Sequence, residues 1–92
     1  MTTLKKAIET YGKDMQLNVA VEEFSELIKE ICKYKRGRNN IENIVEEMAD
    51  CYIMLEQMQM IFELGSTVIA DAKAKKIERL EKRLAEGSEN GT

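Results

Sequence analysis

Apolar residues recur every three or four positions through residues 15–35, and no proline interrupts this stretch or any other part of the 92-residue chain. Such spacing places the apolar side chains on one face of an α-helix. Proline is the residue that most strongly breaks helices, so its absence favours long uninterrupted ones. Hydrophobic residues make up 43% of the chain, which is enough for one small core. The sequence therefore predicts a single all-α domain.

The same periodicity predicts the number of helices and their order. Four are expected, over roughly 3–11, 15–35, 41–63 and 67–85. Glycines and small polar residues supply the expected ends and caps: Gly12, Asp14, Asn40, Gly65 and Ser66. The second and third helices are joined by a short loop, so we expect an antiparallel hairpin. Residues 1–85 are expected to form a bundle of about four helices on this hairpin, and residues 86–92 a disordered tail.

The third helix is apolar on more than one side. Ile53, Met54, Met60 and Ile61 fall outside its main apolar stripe. A helix that is apolar on several sides is buried on several sides. We therefore predict a homo-oligomer whose interface includes the distal half of this helix. The alternative is a central helix in a larger monomeric bundle, but only three other helices exist to cover it.

Charge and cysteine content narrow the function classes. The net charge of −3 argues against a general nucleic-acid binder. Two separated cysteines, Cys32 and Cys51, and no histidine argue against a disulfide framework or a zinc finger. The beginning of the chain lacks the apolar stretch of a signal peptide, and no apolar run approaches the length of a membrane span. We expect a soluble, cytoplasmic protein that does not contact membranes.

Two groups of acids occupy matching positions on the second and third helices. On the second, Glu23 and Glu26 border the apolar stripe, whereas Glu22 lies on the opposite side. The third helix repeats this arrangement, with two acids beside the stripe and one outside it: Glu47, Asp50 and Glu46. Packing the two stripes against each other can bring the acid pairs face to face. We therefore expect four carboxylates to converge beside the core.

Converging carboxylates must be neutralised. Lysines can do this on the second helix, where Lys29 follows Glu26 and Lys33 follows Glu30, but the third helix contains no basic residue. The other partner is a cation, and an all-carboxylate site favours Mg²⁺, with Mn²⁺ as the alternative. Without histidine, the Glu-x-x-His motif of di-iron bundles is excluded. Acid-rich helices are also common as solvated faces, so spacing leaves both interpretations open.

A phosphate substrate would also need positively charged side chains to bind it. Residues 39–72 contain seven acids and no Lys or Arg, whereas residues 29–38 carry five basic residues and residues 73–83 carry six. Either basic stretch could bind phosphate. Basic residues near a helix C-terminus also suit the helix dipole, so the second stretch has an ordinary structural explanation.

These motifs resemble a known family. "EEFSE", residues 22–26, and "EMAD", residues 47–50, resemble the EExxE…ExxD signature of MazG-like nucleoside triphosphate pyrophosphohydrolases, in the all-α NTP pyrophosphatase superfamily. The resemblance extends from residue 11 to residue 84, about four-fifths of the chain. It implies a Mg²⁺-dependent hydrolase that converts a (d)NTP to a (d)NMP and pyrophosphate, usually as a dimer or tetramer.

The resemblance also implies roles for particular residues. The Mg²⁺ ligands would be Glu23, Glu26, Glu47 and Asp50. Glu22 would be a supporting catalytic acid or would help to orient the attacking water. Lys76 and Arg79 look like the family's basic pair on the last helix, and would contact phosphate from a neighbouring subunit. Gln16 lies in a position similar to that of residues that approach the base.

The chain departs from the family in the aromatic residues that would stack on the nucleotide base. The chain has two Phe, three Tyr and no Trp, so aromatic side chains for stacking are scarce and the use of a broad range of NTPs, or of non-canonical ones, is expected. Two other functions also fit the sequence. One is a non-catalytic helical interaction or regulatory module, and the other is a carboxylate metal buffer that does not turn over substrate.

Overall fold

The computed structural model describes residues 2–87, which form four α-helices and no strand. The helices are α1 (Thr3–Tyr11), α2 (Lys13–Lys35), α3 (Ile41–Ile61) and α4 (Val68–Ala85). The predicted all-α class and the order of the four helices are confirmed. Residues 88–92 of the predicted tail lie outside the described residues. None of the described helices combines the length and the apolar character that crossing a membrane requires.

A single glycine both ends α1 and begins α2. Gly12 has φ 93° and ψ 154°, and its N–H donates to the Ile8 carbonyl at 2.8 Å. Positive φ is readily accessible only to glycine, which explains why the chain turns here. The prediction that Asp14 caps α2 is wrong, because the helix begins at Lys13 and its N-cap residue is Gly12. Asp14 lies in its first turn, where a negative charge is favoured by the helix dipole.

The α2–α3 turn is held by backbone and side-chain hydrogen bonds. Gly37 has φ 99°, and the following N–H of Arg38 donates to the Lys33 carbonyl at 3.1 Å, as in a Schellman motif. Asn40 occupies the N-cap position of α3 as predicted, but its side chain does not cap the helix. Its amide Nδ2 donates instead to the Glu30 carbonyl at 2.9 Å and to the Glu30 carboxylate at 2.8 Å. These bonds fasten the start of α3 to α2.

The end of α3 and the start of α4 differ slightly from the prediction. Glu63, not Gly65, adopts the left-handed conformation, with φ 52°. The next N–H, of Leu64, donates to the Gln59 carbonyl at 3.0 Å, which completes a Schellman motif. Thr67, rather than Ser66, is the N-cap residue of α4, and no side-chain hydrogen bond caps that helix.

The core lies where α1, α2 and α3 meet. Its buried hydrophobic residues are Ile8, Ala20, Cys51, Met54 and Ile61. Within it, the Gln16 amide Nε2 donates to Gln57 Oε1 at 2.8 Å, and Gln57 Nε2 donates to the Leu4 carbonyl at 3.3 Å. Buried amides are stable only when paired in this way. The three hydrogen-bonded groups tie the three helices together.

The two apolar sides of α3 are not covered as the sequence suggested. Met54, Gln57 and Ile61 share one side of α3, and the bond from Gln57 to Leu4 shows that this side faces α1. Met54 and Ile61 are therefore buried within one chain and cannot contribute to an oligomer interface, whereas Ile53 and Met60 are exposed, so the interface on the distal half of α3 stays a prediction. Much of the main stripe is also exposed: Tyr52 is 65% exposed and Leu55 is 46% exposed, although Cys51 in the same stripe is buried.

The last helix, α4, stands apart from the other three. No Cα atom of α4 lies within 8 Å of a Cα atom in α1, α2 or α3. Its large apolar side chains are all exposed: Val68, Ile69, Ile77, Leu80 and Leu84. Helix α4 therefore contributes no residue to the core that the described chain forms by itself.

Candidate metal centre

Three of the predicted acids meet where α2 packs against α3. Glu23, Glu47 and Asp50 each offer one carboxylate oxygen, and these oxygens lie within 4.8 Å of one another. All three residues are half-buried. Glu47 and Asp50 are three residues apart on α3, which places them on the same side of that helix. We call Glu23, Glu47 and Asp50 the acidic cluster.

The acidic cluster favours a proton on Glu23. A hydrogen bond between the carboxyl groups of Glu23 and Asp50 is the largest cause, followed by the burial of Glu23. The neighbouring charges of Asp50, Glu47 and Glu22 add to these effects, and together they raise the pKa of Glu23 to about 7. Like charges held this close disfavour the ionised form of either partner. A bound cation would have the opposite effect and would release the proton.

Glu47 is the member of the cluster with an unsatisfied atom. Its Oε2 is buried and has no hydrogen-bond partner in the described structure. Burial raises the pKa of Glu47, and the charges of Asp50 and then Glu26 raise it further. A buried acceptor without a partner is costly, and native structures seldom leave one without a reason. A cation bound beside this oxygen would supply such a partner.

Basic side chains do not neutralise the acidic cluster. Between residues 2 and 87, the ion pair that forms is Lys33–Glu30, with Nζ and Oε2 3.1 Å apart. This confirms the expected pairing of Glu30, whereas the suggested pairing of Glu26 with Lys29 does not form. The lack of a basic residue throughout α3 explains why Glu47 and Asp50 have no such partner.

The remaining predicted acids surround the cluster. Glu26 is exposed and is not one of the three that meet, although its charge lies close enough to raise the pKa of Glu47. Glu22 and Glu46 are exposed, as their positions opposite the apolar stripes predicted. The structure therefore brings together one acid of the α2 pair and both acids of the α3 pair.

The spacing of the cluster suits a hard divalent cation. Two oxygens on opposite sides of one Mg²⁺ lie about 4.2 Å apart, twice the usual Mg–O distance. The three oxygens are within 4.8 Å, so small side-chain movements would bring them onto one ion. Carboxylate oxygens are also the ligands that Mg²⁺ and Mn²⁺ prefer. The donor set and the unsatisfied Oε2 of Glu47 both fit such an ion.

The predicted substrate-binding residues lie elsewhere. Lys76 and Arg79 are exposed on α4, which has no Cα atom within 8 Å of a Cα atom in α2 or α3. Gln16 is buried, and its amide is engaged by Gln57 in the core. Neither the basic pair nor Gln16 is thus brought to the acidic cluster by the fold of one chain.

Sequence reasoning did not identify the polar group at the α2–α3 turn as a site. Glu30 is 7% exposed, and hydrogen bonds from Asn40 and then Lys33 lower the pKa of its carboxyl group. Asn40 was assigned only as a cap. The available signal was the position of Glu30, one helical turn beyond Glu26 on the same side of α2.

Comparison of the chain with protein-family models, with curated proteins and with solved structures found no match.

Proposed function

We propose that this chain is a divalent-metal-dependent nucleoside triphosphate pyrophosphohydrolase that prefers Mg²⁺ and converts a (d)NTP to a (d)NMP and pyrophosphate. The observation that carries the proposal is the acidic cluster, in which Glu23, Glu47 and Asp50 converge from two helices without a basic partner. Mg²⁺ is commonly held by one or more carboxylates together with substrate phosphates, which suits a small, half-open cluster. The resemblance of the signature motifs to MazG-like enzymes supports the choice of substrate.

The chain's own residues would hold the ion and the substrate. Glu23, Glu47 and Asp50 are the proposed ligands, and the exposed Glu26 is the fourth acid available at the rim of the cluster. The ion would supply charge neutralisation for the phosphate oxygens and activation of water. Glu22 lies close enough to raise the pKa of Glu23, and we assign it a supporting role beside the attacking water.

The proposal includes a homo-oligomer. A compact protein of 10.6 kDa has an accessible surface of roughly 5,500 Å², whereas this chain exposes 7481 Å². A compact chain of this length has a radius of gyration of about 12 Å, and the observed value is 16.7 Å. The excess of roughly 2,000 Å² is more than twice the 800 Å² or so that each partner buries in a standard interface. An extensive interface with a second copy, or contacts with more than one copy, would be needed to cover it.

Charge complementarity suggests which surfaces would meet. Helix α4 carries all six basic residues of 73–83, and α3 has no basic residue at all. Both surfaces also expose apolar side chains, such as Leu80 on α4 and Tyr52 on α3. Packing α4 of one copy on the hairpin of another would bring Lys76 and Arg79 towards the acidic cluster, where phosphates need cations.

A panel of NTPs and dNTPs, each incubated with the protein and Mg²⁺, tests the proposal through pyrophosphate release. We expect release by the wild type and a loss of at least about 100-fold in Glu47→Gln, since even residues that only support a metal ligand cost 10- to 100-fold. The matched control is Glu46→Gln, which changes the adjacent, exposed acid and should retain activity.

The uncovered apolar faces favour a second candidate, a non-catalytic interaction module. If no nucleotide of the panel releases pyrophosphate and Mg²⁺ does not change the melting temperature, that candidate is supported. A Mg²⁺-dependent rise in melting temperature without turnover would instead indicate the metal buffer.

A further inference from the structure

A polar cleft lies at the end of the hairpin, where α2 turns into α3. Its volume is about 630 Å³, within the range of small-molecule sites. It is lined by residues from α2, from the turn and from the first turn of α3, including Glu30, Lys33, Arg38, Asn39, Asn40 and Asn43. The acidic cluster is not part of its lining.

The floor of the cleft is preformed. The buried Glu30 carboxylate accepts a hydrogen bond from Asn40 Nδ2 at 2.8 Å and another from Lys33 Nζ at 3.1 Å. The same Asn40 amide also donates to the Glu30 backbone carbonyl. Three bonds thus fix Glu30 and Asn40 before any ligand arrives, which reduces the ordering cost of binding.

The charges of the lining cancel. Two acids, Glu30 and Glu42, face two bases, Lys33 and Arg38. A neutral cleft suits neither a triphosphate, which needs an excess of positive charge, nor a metal ion, which needs an excess of carboxylates. Its remaining polar groups are amides, which both donate and accept hydrogen bonds. Asn39 and Asn43 are exposed and can meet a ligand. The Asn43 side chain also lies close enough to Glu30 to help lower the pKa of its carboxyl group, but an amide has more than one hydrogen-bonding atom. Such a lining suits a neutral heterocycle with donors and acceptors along its edge.

The cleft opens one to two helical turns from the acidic cluster. Asn43 precedes Glu47 by four residues on α3, and Glu30 follows Glu23 by seven residues on α2. Four residues of helix correspond to about 6 Å and seven to about 10 Å. The charge of Glu30 also contributes to raising the pKa of Glu47, which is consistent with this short separation. A sugar attached to a phosphate at the cluster could bridge such a gap.

We propose that this cleft binds the heterocyclic base of the nucleotide and discriminates among bases by hydrogen bonds from Asn39 and Asn43 rather than by aromatic stacking. The inference rests on the proposed function, since it places the nucleoside on the hairpin-turn side of the cluster. It also explains how a chain with so few aromatic residues could still select a base, because no aromatic residue lines the cleft.

The test compares kcat/KM across the four bases for the wild type and for Asn39→Ala and Asn43→Ala. Loss of one selective hydrogen bond, worth about 1 kcal/mol, should change the ratio between the best and the worst base by about fivefold. The matched control is Asn18→Ala, which removes an exposed amide from α2 outside the cleft and should leave this ratio unchanged. An unchanged ratio in both cleft variants would overturn the inference while leaving the proposed function intact.

A binding measurement tests the cleft independently of the proposed hydrolase activity. Nucleosides without phosphate are titrated into isotope-labelled protein without metal, and backbone amide shifts are followed by NMR. We expect shifts concentrated at residues 38–43. If these shifts occur while no triphosphate is hydrolysed, the cleft binds bases and the proposed function is wrong. Shifts confined to other residues, or none at millimolar nucleoside, overturn the inference whatever the hydrolysis result.

Discussion

Replacing Glu23 by Gln should stabilise the protein at high pH when no metal is present. The pKa of Glu23 is raised from the ordinary 4.5 to about 7 by Asp50, by burial and by the neighbouring charges. A difference of that size corresponds to at most about 3 kcal/mol. Because the cluster is only half-buried, water and salt screen these charges, and we expect about 1 kcal/mol.

The pH dependence of stability shows whether the charge on Glu23 stabilises or destabilises the folded protein. Between about pH 4.5 and 7, folded chains keep a proton on Glu23 that unfolded chains have released. The free energy of unfolding therefore falls as the pH rises through this window, and the full penalty applies above it. Gln is uncharged at both pH values. The free energy of unfolding of Glu23→Gln should therefore exceed that of the wild type by about 1 kcal/mol at pH 8, and the difference should disappear at pH 4.5.

Thermal unfolding at equal protein concentrations measures the effect. About 1 kcal/mol corresponds to a rise of about 4–8 °C in melting temperature for a domain of this size. Glu9→Gln, an exposed change on α1, serves as the control and should show no such pH dependence. Added Mg²⁺ at pH 8 should stabilise the wild type more than the variant. A variant no more stable than the wild type at pH 8, or equally shifted at both pH values, would refute the crowding of carboxylates described above.

Three further predictions concern packing. Leu80→Glu on α4 should reduce the assembly to smaller species in sedimentation velocity, and a wild type that already sediments as a monomer at micromolar concentrations would contradict the proposed oligomer. Gln57→Leu should lower the free energy of unfolding by about 1–3 kcal/mol in urea, because the buried amide of Gln16 loses its partner; an unchanged midpoint would show that the bond contributes nothing. Iodoacetamide should label Cys32 well before Cys51 by mass spectrometry, since burial and then nearby carboxylates raise the pKa of the Cys51 thiol; equal rates would mean that Cys51 is not buried.

Local sequence patterns were sufficient to predict the helices and the orientation of the acids. Apolar spacing located all four helices to within two residues. The angular positions of Glu22 and Glu46 correctly placed them on exposed surfaces, and those of Glu23, Glu47 and Asp50 placed them beside the seam between helices. The same argument placed Glu26 beside the seam, but it is exposed and does not join the other three. These features depend on the geometry of one helix at a time, which a sequence specifies directly.

Features that depend on distant residues could not be predicted. Gln57 interrupts an apolar pattern and gave no sign of being buried, because its partners Gln16 and Leu4 are 41 and 53 residues away. Asn40 has the composition of a helix cap, yet its amide binds Glu30 across the turn. The separation of α4 from the hairpin likewise depends on tertiary packing, to which its own amphipathic pattern gives no guide.

The joint at Gly12 also decides how the distal half of α3 is sheltered. One residue without a side chain sets the direction in which α1 leaves α2, through a torsion angle that L-amino acids rarely adopt. Any other residue at this joint would strain the backbone by about 1–3 kcal/mol. If a change in backbone torsion relieved that strain, α1 would move away from α3, and water would reach the hydrogen bonds among Gln16, Gln57 and the Leu4 carbonyl. The integrity of the small core is therefore tied to the smallest residue in the chain.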